Sequence, residues 1–356
     1  MPRDYALTPE NDVAAQAAGL ANPRWYRTDV DTTVLRALMQ KNDARPLRDT
    51  ALWLGLLIGT AALGIAFWGS WWAVPFWVAY GVLYGSAADS RWHECGHKTA
   101  FKTNWMNETV YAIASFMLLR NPYAWRASHV RHHTDTIIVG RDPEIQAMRP
   151  PDLMRIVLNL VGIPDGIAMI KRMVNHALGR MHPDEIAYVR EADHPRVFQA
   201  ARIMLAIFSA TILTALWMGS ILPLMLIGLP SFYGAWQRVM TGSLQHLGLA
   251  ENVTDHRLNT RTVMMDPINR FLYLNMNYHV EHHMFTMVPY YNLPQLHALI
   301  GHDLPAPDAG IIAAYRRLIP VLVQQLRQNK AVIVPALPET ATPYRAEVAA
   351  LQPFAI

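Results

Sequence analysis

The sequence predicts an all-α integral membrane protein, with four transmembrane helices arranged as two hairpins and a cytoplasmic helical cap that carries a metal site. Three observations predict it. Apolar residues make up 52% of the 356 and charged residues only 16%, against about 25% charged in soluble proteins. Two long stretches contain no charge at all. The 15 histidines are gathered into short clusters near the ends of those stretches. The single cysteine, Cys95, excludes a disulfide framework, a zinc ribbon and a cysteine-ligated iron–sulfur cluster. A net charge of +4 would suit nucleic acid or an anionic membrane face, and the position of the charges decides for the membrane, with no nucleic acid partner.

Residues 1–50 form an N-terminal segment whose start, Met1 to Asp12, is polar and acidic and lacks the basic-then-apolar pattern of a signal peptide. Residues 51–88 and 203–237 contain no Asp, Glu, Lys or Arg. About 20 apolar residues span a bilayer as helix, so each stretch is long enough for two passages. Each breaks near its middle at the same dipeptide, Gly69-Ser70 and Gly219-Ser220, giving expected spans at 51–68, 71–88, 201–218 and 221–238. Buried helices of a large soluble core are the alternative, but uncharged stretches of this length are rare there. Neither hairpin tip carries Lys or Arg, so all 31 basic residues fall on one side, which the positive-inside rule makes cytoplasmic. Both termini, segment 89–200 and everything after Arg238 are then expected in the cytoplasm of a multi-pass protein of the cell (inner) membrane. Val110 to Leu119 is too short to cross. Leu153 to Ile170 is interrupted by Pro164 and Gly166, and both read as interfacial or re-entrant helices. Residues 171–196 are charged and cap the cytoplasmic face; the Pro- and Ala-rich tail after Lys330 is expected to be extended. The resulting division is 1–50, a membrane domain at 51–300, and a C-terminal segment at 301–356.

Three histidine clusters lie on the expected cytoplasmic side: His93-Glu-Cys-Gly-His97, His129-Val-Arg-His132-His133, and His279-Val-Glu-His282-His283. Residues four apart share a helix face, so His93 and His97 can point at one metal. In the other two clusters the first histidine shares a face with both later ones. The adjacent pairs His132-His133 and His282-His283 diverge by about 100° and can serve two neighbouring ions. Eight imidazoles are too many for one metal and suit two. Imidazole alone does not choose among zinc, copper, iron and nickel. A structural zinc needs four ligands and a catalytic zinc three plus water. So many neutral nitrogens without a thiolate point instead to a redox-active pair open to dioxygen, with two iron ions the choice. Carboxylates behind the ligands would orient and balance such a pair, and Glu94, Asp135, Asp142 and Glu281 are the candidates, each equally readable as a surface acid.

The three clusters, HECGH, HVRHH and HVEHH, resemble the three histidine boxes of the membrane fatty acid desaturase superfamily, which also contains hydroxylases, alkane monooxygenases and carotenoid ketolases. The resemblance covers roughly residues 50–300. It includes HECGHKTAF from His93, NYHVEHHMF from Asn277, and Asn292-Leu293-Pro294 leading to His297. It implies a four-span helical fold, a cytosolic di-iron site, O2-dependent C–H oxidation and an external electron donor. Relatives also carry a lone ligand histidine after the fourth span, which matches His246 in Gln245-His246-Leu247-Gly248-Leu249; His256 is placed behind the ligands. Thr286 stands where many desaturases have Pro, and His279 where front-end desaturases have Gln, which weakens any particular regiochemistry. Tyr84–Arg91 and Thr134–Glu144 resemble the rhizopine-oxygenase-like branch, linked with small polar substrates.

The expected activity is acyl-lipid desaturation or hydroxylation, with oxygenation or demethylation of a small polar substrate as the alternative. Substrate position, not ligand identity, decides between these outcomes. Trp92, Trp105, Trp125 and Tyr278 are candidates for a substrate tunnel, or are interfacial aromatics. The chain has no GxGxxG nucleotide motif, no cysteine set for a cluster and no His-Pro-Gly-Gly of a fused cytochrome. Electrons are therefore expected from a separate ferredoxin, Rieske protein, rubredoxin or cytochrome with its reductase. Arg126, Arg131 and Arg141 are candidates to steer an acidic carrier, or are interfacial arginines. HECGH also fits the H-E-x-x-H motif of a membrane zinc metallopeptidase, which would have no use for two HxxHH clusters. A metal transporter would place its ligands in mid-bilayer, where the expected spans have no His, Asp or Glu. Cys95 reads as a small buried residue.

Overall fold

A computed structural model of the chain describes residues 4–146 and 148–354. Helix dominates. Among the described residues the strands are Ala331–Val332 and Gln352–Pro353, paired in parallel. The chain divides into two compact units interleaved in sequence, one of Lys41–Ala127 and Met154–Met240, the other of Met1–Gln40, Ser128–Leu153 and Thr241–Ile356. The extreme chain ends, expected in the cytoplasm, lie outside the described residues.

The first unit holds the apolar stretches. Ala44–Ala66 opens with Arg45, Arg48 and Asp49 and is then uncharged for its remaining length. At 1.5 Å per residue its 23 residues reach about 34 Å, enough for a hydrocarbon core of about 30 Å. Glu191–Met218, 28 residues, is the second helix long and apolar enough to cross. Both present apolar side chains outward, among them Ile58, Leu213, Leu216 and Trp217. A third crossing is formed if Leu153–Asn159 and Ile163–Ala177, bent by 79°, count as one broken span. Pro164 lies in the first turn of Ile163–Ala177, and Gly162 ahead of it adopts φ 65°. The break expected near Pro164 thus falls just before it.

The first hairpin turns where Gly69 (φ 86°) follows the end of Ala44–Ala66. Trp71 and Trp72 are 91% and 74% exposed at this turn, the placement that interfacial tryptophans take at a membrane surface. The two arms close on each other through Gly64, which lies under the Trp77 ring, and through Trp53 Nε1, which donates to the Leu83 carbonyl at 2.8 Å. The returning helix, Ala73–Gly85, has only 13 residues, about 20 Å. It kinks at Ser86 and continues as Ala87–Gly96.

The stretch expected as a single span at 221–238 is not one helix. It runs as Leu222–Leu226, Pro230–Tyr233 and the start of Trp236–His246. Gly219 caps the preceding helix in the left-handed region, Gly228 adopts φ 99°, and Pro230 cannot donate a helical hydrogen bond. Close packing requires the break: the Gly234 backbone lies directly on that of Gly81, and a Cβ on Gly234 would overlap the Gly81 carbonyl. Side chains occupy carbonyls along this stretch. Tyr80 Oη donates to Leu226 O (2.8 Å), Tyr233 Oη to Met225 O (3.3 Å) and Ser86 Oγ to Gly234 O (2.5 Å). Irregular backbone at membrane depth is tolerated only when it is satisfied by protein in this way.

In the second unit the N-terminal segment is pinned to the rest. Tyr5 Oη donates to Glu251 (2.8 Å), Tyr26 N to Thr254 O (2.9 Å), and both Tyr26 Oη and Thr28 Oγ1 to Asp303 (2.6 Å). Arg257, fully buried, pairs with Asp255 at 2.7 Å and Asp303 at 3.0 Å and lies 3.8 Å from the Tyr26 ring centroid. A buried cation is tolerable only with such partners. The short helix His279–Met284 is buried along its whole length.

Candidate metal centre

The second box ends the helix Pro122–Thr134, whose start is held by Asn121 accepting from the amides of Tyr123 and Ala124. One helical turn brings His129 and His133 together, Nε2 to Nε2 at 3.2 Å. The chain then reverses, and within ten residues Asp142 returns beneath the same helix, where its carboxylate takes His132 Nδ1 at 2.8 Å. Two residues on, Glu144 accepts from His129 Nδ1 (3.0 Å) and Ser128 Oγ (2.8 Å). The third box supplies His282, with Nε2 3.3 Å from that of His133, and His283, with Nε2 3.2 Å from that of His279. His246 ends the helix Trp236–His246, its ring 5.2 Å from His132 and 5.1 Å from His283.

Within this unit two groups result. One holds His129, His133 and His282; the other holds His132, His246 and His283. In each, the candidate ligand atoms lie within 4.8 Å of one another. His279 adjoins the second group through His283 and His246. The chain neighbours His132-His133 and His282-His283 are divided between the groups.

Hydrogen-bond partners fix four tautomers. His129 and His132 donate from Nδ1 to carboxylates, and His246 donates from Nδ1 to the Asn259 carbonyl at 2.8 Å. The Thr136 hydroxyl gives its proton to the His132 carbonyl (2.8 Å), so His283 Nδ1 must donate to Thr136 Oγ1 (3.2 Å). Each of these rings therefore turns a bare Nε2 lone pair inward. His246 Nε2 is buried with no hydrogen-bond partner. His133 Nε2 faces two imidazole nitrogens, and one proton can serve only one of them. Two nitrogens bound at about 2.1 Å to one ion, with an angle near 100°, lie about 3.2 Å apart, which is the spacing found. The donor set fits metal ions.

Electrostatics favour the neutral form at four of these imidazoles. Burial first, and neighbouring imidazoles second, push His246, His279, His282 and His283 well below the ordinary histidine value. Burial also lowers His132, but the Asp142 charge and hydrogen bond more than offset it and hold this imidazole above its usual value. Burial raises Glu144, yet His129 beside it holds the carboxyl down to about 2.

The remaining sequence candidates take several places. His93 and His97 lie in the other unit, at the end of Ala87–Gly96, on one face with ring centroids 5.1 Å apart. Glu94 is fully buried and accepts from Thr99 Oγ1 at 3.1 Å. Asp135 pairs with Arg131 (2.5 Å) and Arg141 (3.3 Å) rather than with an imidazole. Glu281 accepts from Thr262 Oγ1 (2.6 Å) and from His297 Nδ1. His256 stacks on Trp25, centroids 4.2 Å apart and planes at 5°, and its ring lies 5.0 Å from His283; burial lowers it to about 3. Trp92 and Trp125 meet edge to face with Arg120 over both rings, Trp105 is exposed, and Tyr278 is buried beside His297. Arg126 pairs with Glu108, and Arg141 with Asp12 as well as Asp135. Cys95 is buried. Sequence reasoning missed Glu144, Thr136, Asn259 and Trp25. Only the acid-bearing turn Asp142-Pro-Glu144 after the second box offered a signal.

The model of the family described as fatty acid desaturase matches residues 69–315. The chain is 23% identical over 297 residues to the "sn-2 acyl-lipid omega-3 desaturase (ferredoxin), chloroplastic" of Arabidopsis thaliana, covering 77% of this chain and 65% of that protein. It is 26% identical over 137 residues to the "sn-1 oleoyl-lipid 12-desaturase" of Anabaena variabilis, covering 37% of each. It is 38% identical over 69 residues to the "Delta(12) fatty acid desaturase" of Mortierella alpina, covering 18% of this chain and 17% of that protein. The matched segments span less than two thirds of each of these relatives. The family match covers well over half of the chain and runs through all three histidine boxes, so the chain belongs to the fatty acid desaturase family.

Proposed function

We propose that the protein is an integral-membrane oxidoreductase that uses two iron ions, O2 and externally supplied electrons to desaturate acyl chains. One observation carries the reading: two triads of buried or half-buried imidazoles, four of them locked in the tautomer that aims Nε2 inward, in a chain of the desaturase family. His132, His246 and His283, with His279 beside them, would hold one ion. His129, His133 and His282 would hold the other. His93 and His97 are assigned to this set by their i, i+4 spacing and by the family's first box. The iron pair, when bound, would activate O2 to remove hydrogen from an unactivated carbon.

The chain's own residues prepare that chemistry. Burial keeps His246, His279, His282 and His283 neutral, so their lone pairs stay available without competition from protons. Asp142 and Glu144 hold ring orientation and supply negative charge behind neutral ligands. His256 and Glu281 are assigned to this supporting layer, His256 through its contact with His283. Four membrane passages as two hairpins are supported by the paired uncharged stretches, the second and fourth passages being short or broken helices. The absence of Lys and Arg at both tips supports a cytoplasmic side for the histidines and termini. Names of relatives favour the lipid substrate over a small polar one.

The test is expression with a ferredoxin and its reductase, followed by mass spectrometry of acyl lipids and of small polar amines. A new double bond in acyl chains, two irons per chain, and loss of product in His132→Ala and His282→Ala with membrane insertion intact are expected. Loss of a methyl group from a polar metabolite, one zinc per chain, or activity retained in either variant would overturn the reading.

A further inference from the structure

The arginines that sequence position first suggested for steering an electron carrier are committed to carboxylates: Arg126 to Glu108, Arg131 to Asp135 and Asp12, Arg141 to Asp135 and Asp12. A different set is not. Pro23, Arg24, Trp25, Tyr26, Arg27 and Arg345 line an open groove of about 490 Å³. All three arginines are exposed and none pairs with a carboxylate among the described residues; Arg345 is steadied by donating from Nη1 to the Arg24 carbonyl at 3.1 Å. The groove is rigid from beneath, through Tyr26 N to Thr254 O, Tyr26 Oη to Asp303, and the Tyr26 ring against Arg257.

The floor of this groove leads inward. Trp25 is half-buried, and its Nε1 donates to the carbonyl of Thr134, the last residue of the second-box helix, at 3.0 Å. Its ring lies flat on His256 at 4.2 Å, and the His256 ring is 5.0 Å from His283. One π-system at the protein surface and two imidazoles thus form an unbroken line of ring contacts from the groove to the second histidine triad. His256, the middle member, is buried, with Nδ1 lacking a hydrogen-bond partner. The groove sets unpaired positive charge over this line of ring contacts.

We propose that this groove docks a small acidic one-electron carrier protein and that Trp25 and His256 form the entry path for its electrons. The proposal rests on the oxidase reading of the histidine site. Each visit oxidises the carrier by one electron and reduces the site by one. Two visits, with two protons from solvent, balance the removal of two hydrogens from a CH–CH unit by O2, giving C=C and two waters. Positive charge at the rim acts on encounter rate and salt dependence, while the ring contacts act on transfer after encounter, so the two roles separate in the laboratory.

The probe is a plant-type [2Fe–2S] ferredoxin, acidic and able to carry one electron, used with the full-length protein in nanodiscs. Binding is measured on metal-free and iron-loaded protein, and prereduced ferredoxin is mixed with the loaded protein in a stopped-flow instrument. The triple variant Arg24→Ala, Arg27→Ala, Arg345→Ala should bind ferredoxin roughly tenfold more weakly at low salt and lose most of the salt dependence. At saturating ferredoxin, where any change in docking drops out, Trp25→Leu should oxidise ferredoxin at least about tenfold more slowly, while Trp25→Phe, which keeps a stacked ring, stays near the parent rate. Dithionite, which needs no docking groove, should reduce all variants alike, and circular dichroism checks that each is folded. Unchanged binding in the triple variant, or an unchanged transfer rate in Trp25→Leu, overturns the proposal. If the triple variant instead loses affinity for phosphatidylglycerol vesicles while ferredoxin binding is unaffected, the groove serves a lipid surface and the proposal falls. Failure of the oxidase reading is distinguishable: the chain would then take up no iron and make no product, while ferredoxin binding to the metal-free protein would still report on the groove.

Discussion

Replacing Asp142 by Asn separates a metal-orienting carboxylate from a merely structural one. Its Oδ2 accepts from His132 Nδ1 (2.8 Å) and from Ile137 N (2.7 Å), and its Oδ1 from Glu144 N (2.8 Å). A carboxylate satisfies all three donors. An amide must turn its NH2 toward one of them, and the least costly choice keeps the oxygen on His132 and Ile137 and sets NH2 against Glu144 N. That leaves one buried donor unsatisfied, a cost of about 1–3 kcal/mol, and loosens the turn that carries Glu144 to His129. Loss of the negative charge behind His132 weakens the ligand itself. Changes of this kind typically cost about 10–100-fold in metal affinity, or about 1.4–2.7 kcal/mol. The assay is iron uptake in competition with a chelator, read by metal analysis, with circular dichroism to confirm that the helices persist. Asp135→Asn is the control: its carboxylate holds Arg131 and Arg141 and no imidazole, so iron affinity should stay within about threefold of the parent. Parental affinity in Asp142→Asn, or an equal loss in Asp135→Asn, would mean that Asp142 does not orient a metal ligand.

Other predictions concern acid and packing. In the metal-free protein five histidines are lowered by burial (His246, His256, His279, His282 and His283), and two are raised beside carboxylates, His132 and His297. Below about pH 6.5 the unfolded chain takes up protons that the five folded imidazoles refuse, so stability falls with acidification. The raised pair contributes the opposite sign, fully present below the ordinary value and lost as pH rises through the raised ones, but it is outnumbered five to two. Glu144, held down to about 2, adds stability above the ordinary carboxylate range that is lost on acidification toward that value. The melting temperature of metal-free protein in detergent should therefore fall between pH 7.5 and pH 4, and a rise would contradict this. Gly234→Ala forces a Cβ into the Gly81 carbonyl and should destabilise by about 1–3 kcal/mol or more. Gly219→Ala meets no atom but must hold φ 58°, costing about 1 kcal/mol. Thermal melts of the two variants should rank in that order.

The parts of the molecule that the sequence made legible are those set by helix period and by charge. The i, i+4 histidines share faces because 3.6 residues make a turn, and the helices Ala44–Ala66 and His194–Met218 end just before the Gly-Ser dipeptides at Gly69 and Gly219, both glycines in the left-handed region. What was hidden depends on contacts between distant residues. Gly228 and Pro230 are local signals that residues 221–238 break into short helices, but the close approach behind the break, the Gly234 backbone on that of Gly81 some 150 positions earlier, is not legible in the sequence. Asp142, Asp135 and Glu281 looked equivalent as acids near boxes. The turn after Thr134 gives His132 to Asp142, while Arg131 and Arg141 claim Asp135 and His297 claims Glu281. Trp25 carried no signal, because its neighbour His256 lies more than 200 residues away in the chain.

The division of His132 from His133, and of His282 from His283, between the two imidazole triads has a geometric consequence. A single peptide step, about 100° around a helix axis, sets how far apart the triads lie. Side-chain substitution cannot widen or narrow that gap, and inserting one residue between either pair would swing a ring into its neighbour's territory. The distance across the centre is thus tied to helical pitch, while the walls around it remain free to vary.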